Sequence, residues 1–207
     1  MGILYTIFGW LLGLLSQPIV SRIEKYYKRG DVKTAIFSEL KNLLVRLAGT
    51  CMKIEAHLGT KDKESLRWLK AIYEEYRVEC PQNILDAMDK LLQVPDDQFK
   101  KAVQYLQAGE NDGMGLRRFS LSFTDSILES LSVFDPKFQS DILEIRTQVG
   151  FLNELVEDAM FYFRLTFDPD AIKINSEPIR NNMNNCYRQV GDGCRRLVEK
   201  IQKVLKA

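Results

Sequence analysis

The side chains that most often carry catalysis are few in this sequence, and their spacing matches no common catalytic motif. The single histidine, His57, lies in KIEAHLG, which is not the HExxH pattern of zinc proteases. Neither a GxxxxGK[ST] phosphate loop nor a GxGxxG dinucleotide turn occurs. Adjacent carboxylates such as Glu157 and Asp158 point to different helix faces, which suits solvation better than acid–base chemistry. We therefore predict that the chain is not an enzyme and binds no metal or cofactor.

The cysteines also lack the spacing of a metal or redox site. Cys51, Cys80, Cys186 and Cys194 show no CxxC pair and no neighbouring histidine. Cys186 and Cys194 lie on one predicted helix, about 12 Å apart along its axis, which is too far for a disulfide. We expect reduced, mostly buried thiols in a cytosolic domain.

Residues that can recognise an anion are concentrated in IRNNMNNCYRQVGDGCRR, near the C terminus. Guanidinium and amide groups bind phosphates and base edges, and an aromatic ring can stack on a base. A second, smaller group follows the same chemistry at positions 117–119. The candidate ligand residues are Arg117, Arg118, Phe119, Arg180, Asn181, Asn184, Tyr187, Arg188, Arg195 and Arg196. The alternative is a plain exposed helix face, or a polar subunit interface in which asparagine fixes the register.

Apolar residues at alternating steps of four and three predict the helices that would position these groups. Such repeats run from Val32 to Leu58, from Phe138 to Phe163 and from Ile179 to Val204. Asp31 is the expected N-cap of the first of these helices, and Pro178 begins the last. Shorter helices are expected over 63–79, 82–93, 95–108 and, with a weaker pattern, 116–133, and a loop over 109–115. Since no strand pattern is convincing, we predict an all-α helical bundle.

The stretch Ile3 to Val20 is uncharged and has no polar face. As a helix it would be about 27 Å long, close to the ~30 Å hydrocarbon core of a bilayer. Arg22, Lys25, Lys28 and Arg29 follow it, and this asymmetry favours a cytoplasmic C-terminal side. The sequence thus predicts an N-terminal hydrophobic, transmembrane helix; a helix buried in the bundle is the alternative.

Within this stretch three residues are candidates for membrane contact and self-association. Gly9 and Gly13 share one helix face, where two backbones can approach closely, and Trp10 suits the membrane interface. We expect a hydrophobic helix over 1–20, a basic juxtamembrane linker over 21–30 and a cytosolic helical-bundle domain over 31–207.

The formal net charge of +1 conceals blocks of opposite sign. Residues 21–63 and 179–207 each carry +5, whereas 64–115 carry −4 and 116–178 carry −5. Such blocks suit a basic collar at an anionic membrane, or subunits that meet through opposite patches. They do not suit a protein that coats duplex DNA.

A short uncharged N-terminal segment, a basic collar and a helical domain without catalytic residues resemble the small membrane effectors of bacterial anti-phage defence. Among these, the arrangement is similar to the channel-forming effectors of Hailong-type systems, which a short nucleic-acid oligomer holds closed. The resemblance implies an oligomer whose N-terminal helices are sequestered at rest and then inserted to permeabilise the inner membrane.

We therefore expect a membrane-disrupting or channel-forming effector in the inner membrane, with a soluble form in the resting state. Its expected partners are the membrane, further copies of itself and a short single-stranded nucleic acid or nucleotide. The alternative is a membrane-tethered helical scaffold or interaction module without pore activity.

Overall fold

The computed structural model describes the backbone of residues 2–76, 82–106 and 114–207, and the side chains of 29–76, 83–104 and 114–207. Every regular element in this part of the chain is helical, so the predicted all-α class is confirmed. The α-helices are α1 (Gly2–His57), α2 (Lys63–Tyr76), α3 (Gln82–Gln93), α4 (Asp96–Leu106), α5 (Ser122–Ser126), α6 (Pro136–Leu165) and α7 (Pro169–Lys206). A 3-10 helix spans Leu128–Val133, between α5 and α6.

α1 is a single helix of 56 residues, so the expected helix start at Asp31 is wrong. The helix continues through Gly30, whose carbonyl oxygen accepts a hydrogen bond from Thr34 Oγ1 at 3.0 Å. A glycine inside a helix costs only ~1 kcal/mol relative to alanine, which the burial of the following part of α1 can offset. The described C-terminal part of α1 supplies the centre of the core, where Ile36, Leu44 and Leu47 are fully buried.

α6 and α7 form an antiparallel hairpin against α1. Asp135 caps α6 by accepting the Phe138 N–H at 2.9 Å, and Asp168 caps α7. The backbone of Asn175 is not helical (φ −137°, ψ 33°), so α7 consists of a short helix from Pro169 and a long helix that follows this kink. The long part begins close to the expected Pro178, and the short part before it was not predicted. Along the hairpin a Cβ at Gly193 would lie 2.9 Å from Leu152 Cδ1, so this glycine permits the close approach of the two helices.

α2, α3 and α4 complete the core on another side of α1. Leu66, Leu69 and Ile72 of α2 are buried, as are Met88 of α3 and Phe99 of α4. Lys70 of α2 pairs with Asp89 of α3 at 2.8 Å, which fixes these two helices to each other. The three short helices lie at their predicted positions. Residues 77–81 and 107–113, which include the predicted ends of α2 and α4, lie outside the described part.

The chain from Met114 to Leu121 is not helical, although a helix was expected over 116–133. Its backbone N–H groups bond instead to side chains of distant helices, such as Asn153 of α6, which accepts the Phe119 N–H at 2.8 Å. This competition explains the absence of a regular helix until α5.

Among the residues whose side chains are described, no helix is long and apolar enough to cross a membrane. The side chains of Ile3 to Val20, including Gly9, Trp10 and Gly13, lie outside that set, as does most of the loop expected over 109–115. The membrane helix and the division into three segments therefore stay predictions.

Candidate functional site

The predicted ligand group at positions 117–119 is largely occupied by internal contacts. Phe119 is buried, and its backbone carbonyl also accepts a hydrogen bond from Asn153 Nδ2 at 2.9 Å. The Arg118 side chain pairs with Glu157 of α6, and its carbonyl accepts from Arg46 Nη2 at 3.2 Å. Of these three residues, only Arg117 is exposed and makes no hydrogen bond or ion pair with another described residue. Phe119 is therefore a core residue and not a platform for a base.

Tyr187 is fully buried, so its ring is not available to stack on a nucleic-acid base. Its hydroxyl accepts the Met114 N–H at 2.8 Å and donates to the Met114 carbonyl at 2.7 Å. His57 packs edge-on against the ring, with 5.1 Å between ring centroids. Burial raises the pKa of the phenol. Its role here is structural: it fixes the start of the 114–121 segment to α7.

The predicted arginines and asparagines of α7 are divided among different environments. Arg195 donates to Glu55 Oε1 at 2.6 Å and lies 4.6 Å from the centroid of the Trp68 ring. Arg188 donates to Asn185 at 3.0 Å and is exposed. Of the other four predicted residues of α7, Arg180 and Asn184 are half-buried, and Asn181 and Arg196 are exposed. Of the ten predicted residues, Phe119 and Tyr187 are buried, and Arg118 and Arg195 make ion pairs within the bundle.

Glu55 is the centre of a small ionisable cluster between α1 and α7. Besides Arg195, its Oε1 atom accepts from Cys51 Sγ at 3.4 Å. The Oε2 atom is buried and has no hydrogen-bond partner within the described part of the chain. Burial, followed by the Glu55 charge, raises the pKa of Cys51 to about 12, and burial also raises the pKa of Cys194. Both thiols are thus protonated and poor nucleophiles near neutral pH.

The free thiols agree with the sequence prediction. Cys51 and Cys194 are buried and Cys186 is half-buried, and none of the three forms a disulfide. No group of acidic, cysteine or histidine side chains in the described residues is arranged to hold a metal ion.

Two polar residues that the sequence did not single out organise the 114–126 region. Glu39 of α1 accepts the N–H groups of Phe123 and Thr124 at 2.8 and 2.9 Å, and the Thr124 hydroxyl at 2.7 Å. Asn153 bonds both backbone groups of Phe119. No local sequence signal identifies these residues, because their partners lie far away along the chain.

Three large apolar side chains of α6 are exposed, and the sequence analysis missed them. Leu143, Phe151 and Phe161 are 45%, 61% and 52% exposed on this one helix. Beside Phe151, α6 and α7 border a groove of about 300 Å³, whose walls include Leu152, Leu155 and Gly193. The available signal was a second set of apolar residues outside the four-three repeat.

Comparison of the chain with protein-family models, with curated proteins and with solved structures found no match.

Proposed function

We propose that this chain is a membrane-active effector. Residues 3–20 enter a bilayer and permeabilise it, and the helical bundle assembles several copies and controls them. The inner membrane is the target, and the resemblance in organisation described above suggests a role in anti-phage defence.

One observation carries the proposal: the helix that bears the apolar N-terminal stretch is the helix at the centre of the bundle. α1 runs without interruption from Gly2 to His57, and its described part contributes the fully buried Ile36, Leu44 and Leu47. At ~1.5 Å per residue such a helix is about 84 Å long, far more than the bundle needs. A change in how α1 packs therefore acts directly on residues 3–20.

The charge pattern supports an orientation for this helix. Arg22, Lys25 and Lys28 lie between the apolar stretch and the bundle, where lysine and arginine favour an anionic membrane surface. Arg29 lies beside the start of α6, 4.0 Å from Asp135 and 5.5 Å from the centroid of the Phe134 ring. The end of the bundle where α6 begins would thus face the membrane.

An anionic ligand remains part of the proposal, restricted to side chains that the fold leaves accessible. Phe119 and Tyr187 fail this condition because they are buried. The residues that meet it without an ion pair in the described part of the chain are Arg117, Arg180, Asn181, Asn184, Arg188 and Arg196. A short single-stranded oligonucleotide should bind with an affinity that falls as salt rises, and Arg180→Glu with Arg188→Glu should weaken it. Binding that is absent at low salt would remove the ligand from the proposal.

The main experiment compares the full chain with a version that lacks residues 2–20. Expression of the full chain under activating conditions should depolarise the inner membrane and arrest growth, and the truncated chain should do neither. Purified full chain should also release a dye from vesicles that contain anionic lipids. If neither version depolarises the membrane, arrests growth or releases the dye, the proposal is contradicted.

The second candidate is a membrane-tethered scaffold, which the exposed apolar face of α6 favours because such faces bind partners. Replacement of residues 3–20 by an unrelated transmembrane helix separates the two candidates. A scaffold keeps its activity after the exchange, whereas a pore-forming segment loses it. Gly9→Ile with Gly13→Ile is a milder variant that should reduce permeabilisation by blocking close helix approach.

A further inference from the structure

We propose that the outer face of α6 binds a second copy of this chain, with the helices of the two copies parallel. A single exposed apolar side chain is ordinary, but an exposed aromatic ring beside a groove can anchor a partner. Phe151 is 61% exposed and borders a groove between α6 and α7, and Leu143 and Phe161 are exposed about 12 and 15 Å away along the same helix.

The groove beside Phe151 has room for an aromatic ring of the partner. Its volume is about 300 Å³, and a site of ~150 Å³ already holds a benzene ring. Leu152 and Leu155 supply its apolar wall, Gln148, Arg196 and Lys200 supply polar groups, and Gly193 contributes no side chain that would fill it. Phe151 of one copy can therefore enter the groove of the other, and the reverse contact forms at the same time.

Charges on the two edges of this surface identify the partner as the chain itself. Arg196 of α7 borders one side of the groove, and Glu154 lies on α6 on the other side of Phe151. Both are exposed, and neither has an ion-pair partner in the described ranges. Helical side chains lean toward the N terminus of their own helix, and α6 and α7 are antiparallel, with Gly193 opposite Leu152. The guanidinium of Arg196 and the carboxylate of Glu154 thus lie at similar heights.

The positions of Arg196 and Glu154 on opposite edges of the surface determine which two-fold axis is favourable. A two-fold axis parallel to the helices brings the basic edge of each copy against the acidic edge of the other, and two ion pairs form. An axis perpendicular to the helices brings Arg196 against Arg196 and Glu154 against Glu154, which is repulsive. Only the parallel dimer is electrostatically self-complementary.

A parallel dimer places the two N-terminal stretches on the same side of the assembly. The inference rests on the proposed function only for this consequence, since two apolar segments could then enter one membrane together. The dimer itself depends on the described residues of α6 and α7 and not on any activity of residues 3–20.

The test uses charge reversal in the full chain, purified in a mild detergent, with the dissociation constant measured by sedimentation. Arg196→Glu and Glu154→Arg should each weaken the homodimer about tenfold or more, because each places two like-charged pairs in the contact. In a mixture of the two variants the heterodimer should form as tightly as the unmodified dimer. One of its ion pairs keeps the original polarity, and the other joins the two substituted residues with the charges reversed. Phe151→Ser should weaken all combinations.

Matched controls carry the same charge changes elsewhere on α7. Lys173→Glu and Glu177→Arg are both at exposed positions away from the groove, and they should leave the dissociation constant unchanged. Helical content and thermal unfolding of each variant report whether it folds.

The orientation is tested by cross-linking in intact cells. Ser140 is exposed and lies eleven residues before Phe151, or about 16 Å along α6. In a background with Cys80→Ser and Cys186→Ser, Ser140→Cys should cross-link to itself through a short bis-maleimide. In an antiparallel dimer centred at Phe151 the two positions would be about 33 Å apart, beyond the reach of the reagent.

An unmodified chain that stays monomeric, a mixture that fails to restore association, or the absence of a Ser140→Cys cross-link would overturn the inference. These outcomes are independent of membrane permeabilisation. A dimer that leaves membranes intact would contradict the proposed function and support the α6 contact. A permeabilising monomer would do the reverse.

Discussion

The three long helices and the 114–126 region are held in place by different interactions. α1, α6 and α7 meet through buried aliphatic residues, among them Leu47, Ile145 and Val190, which are all fully buried. The 114–126 region also buries Leu116, Phe119 and Leu121, but in addition it makes long-range hydrogen bonds to Glu39, Asn153 and Tyr187. The difference teaches that a periodic apolar pattern specifies the long helices, whereas the segment without such a pattern is positioned by irregular apolar burial together with a few polar contacts.

The largest expected effect comes from Leu47→Ala, which creates a cavity where the long helices meet. Deletion of a fully buried leucine costs ~2–5 kcal/mol of unfolding free energy, and the whole bundle should lose that stability. Denaturant unfolding followed by circular dichroism measures it. Ile174→Ala is the control, because this residue is 77% exposed, and a loss as large as that of Leu47→Ala would contradict the assigned burial.

Glu39→Ala should act mainly on the 114–126 region. It leaves the N–H groups of Phe123 and Thr124 and the Thr124 hydroxyl without their acceptor, at a cost of ~1–3 kcal/mol. Amide hydrogen exchange should speed up at 114–126 and change little in α7. Glu39→Gln keeps one acceptor oxygen and should be intermediate. Equal acceleration throughout the bundle would show that the two regions unfold as one unit.

Tyr187→Phe should have a smaller effect, because it removes the two hydrogen bonds to Met114 but keeps the buried ring. Met114 is half-buried, so water can replace part of what is lost, and a cost of about 1 kcal/mol is expected. The measurement is hydrogen exchange at residues 114–116 together with denaturant unfolding. If exchange there is unchanged, the phenol does not anchor the segment.

The smallest effect is expected for the Cys51 thiol, which should react hardly at all in the folded chain. Its pKa is raised to about 12, so the reactive thiolate is scarce at pH 8, and the side chain is buried. Alkylation followed by mass spectrometry should modify half-buried Cys186 before Cys51. In Leu47→Ala the Cys51 rate should rise, because its reaction requires opening of the bundle. Equal rates at Cys51 and Cys186 in the unmodified chain would contradict this.

The apolar repeats predicted the long helices well, because burial acts at every third or fourth residue and leaves a regular pattern. Ile142, Ile145, Val149, Leu152 and Val156 illustrate this on α6, where all five are buried. The predicted helix start at Asp31 failed for a local reason. A good N-cap residue after a glycine indicates where a helix can begin, but it does not oblige the preceding turn to end.

The candidate ligand residues were harder to predict, because composition does not reveal which way a side chain points. Tyr187 and Phe119 belong to clusters rich in arginine and asparagine, yet each faces the core. Arg195 is satisfied by Glu55, which lies 140 positions earlier in the chain. The groove at Gly193 depends on the approach of two helices, and no single stretch of sequence records that distance.

The unbroken α1 gives the molecule a mechanical coupling between its centre and its N terminus. Because residues 2–57 form one helix, a slip of one helical turn of α1 against α7 would carry the whole apolar stretch by ~5.4 Å along its axis. A rotation of α1 in the bundle would likewise turn the face that bears Gly9 and Gly13. Repacking around Leu47 would thus become displacement and rotation tens of ångströms away.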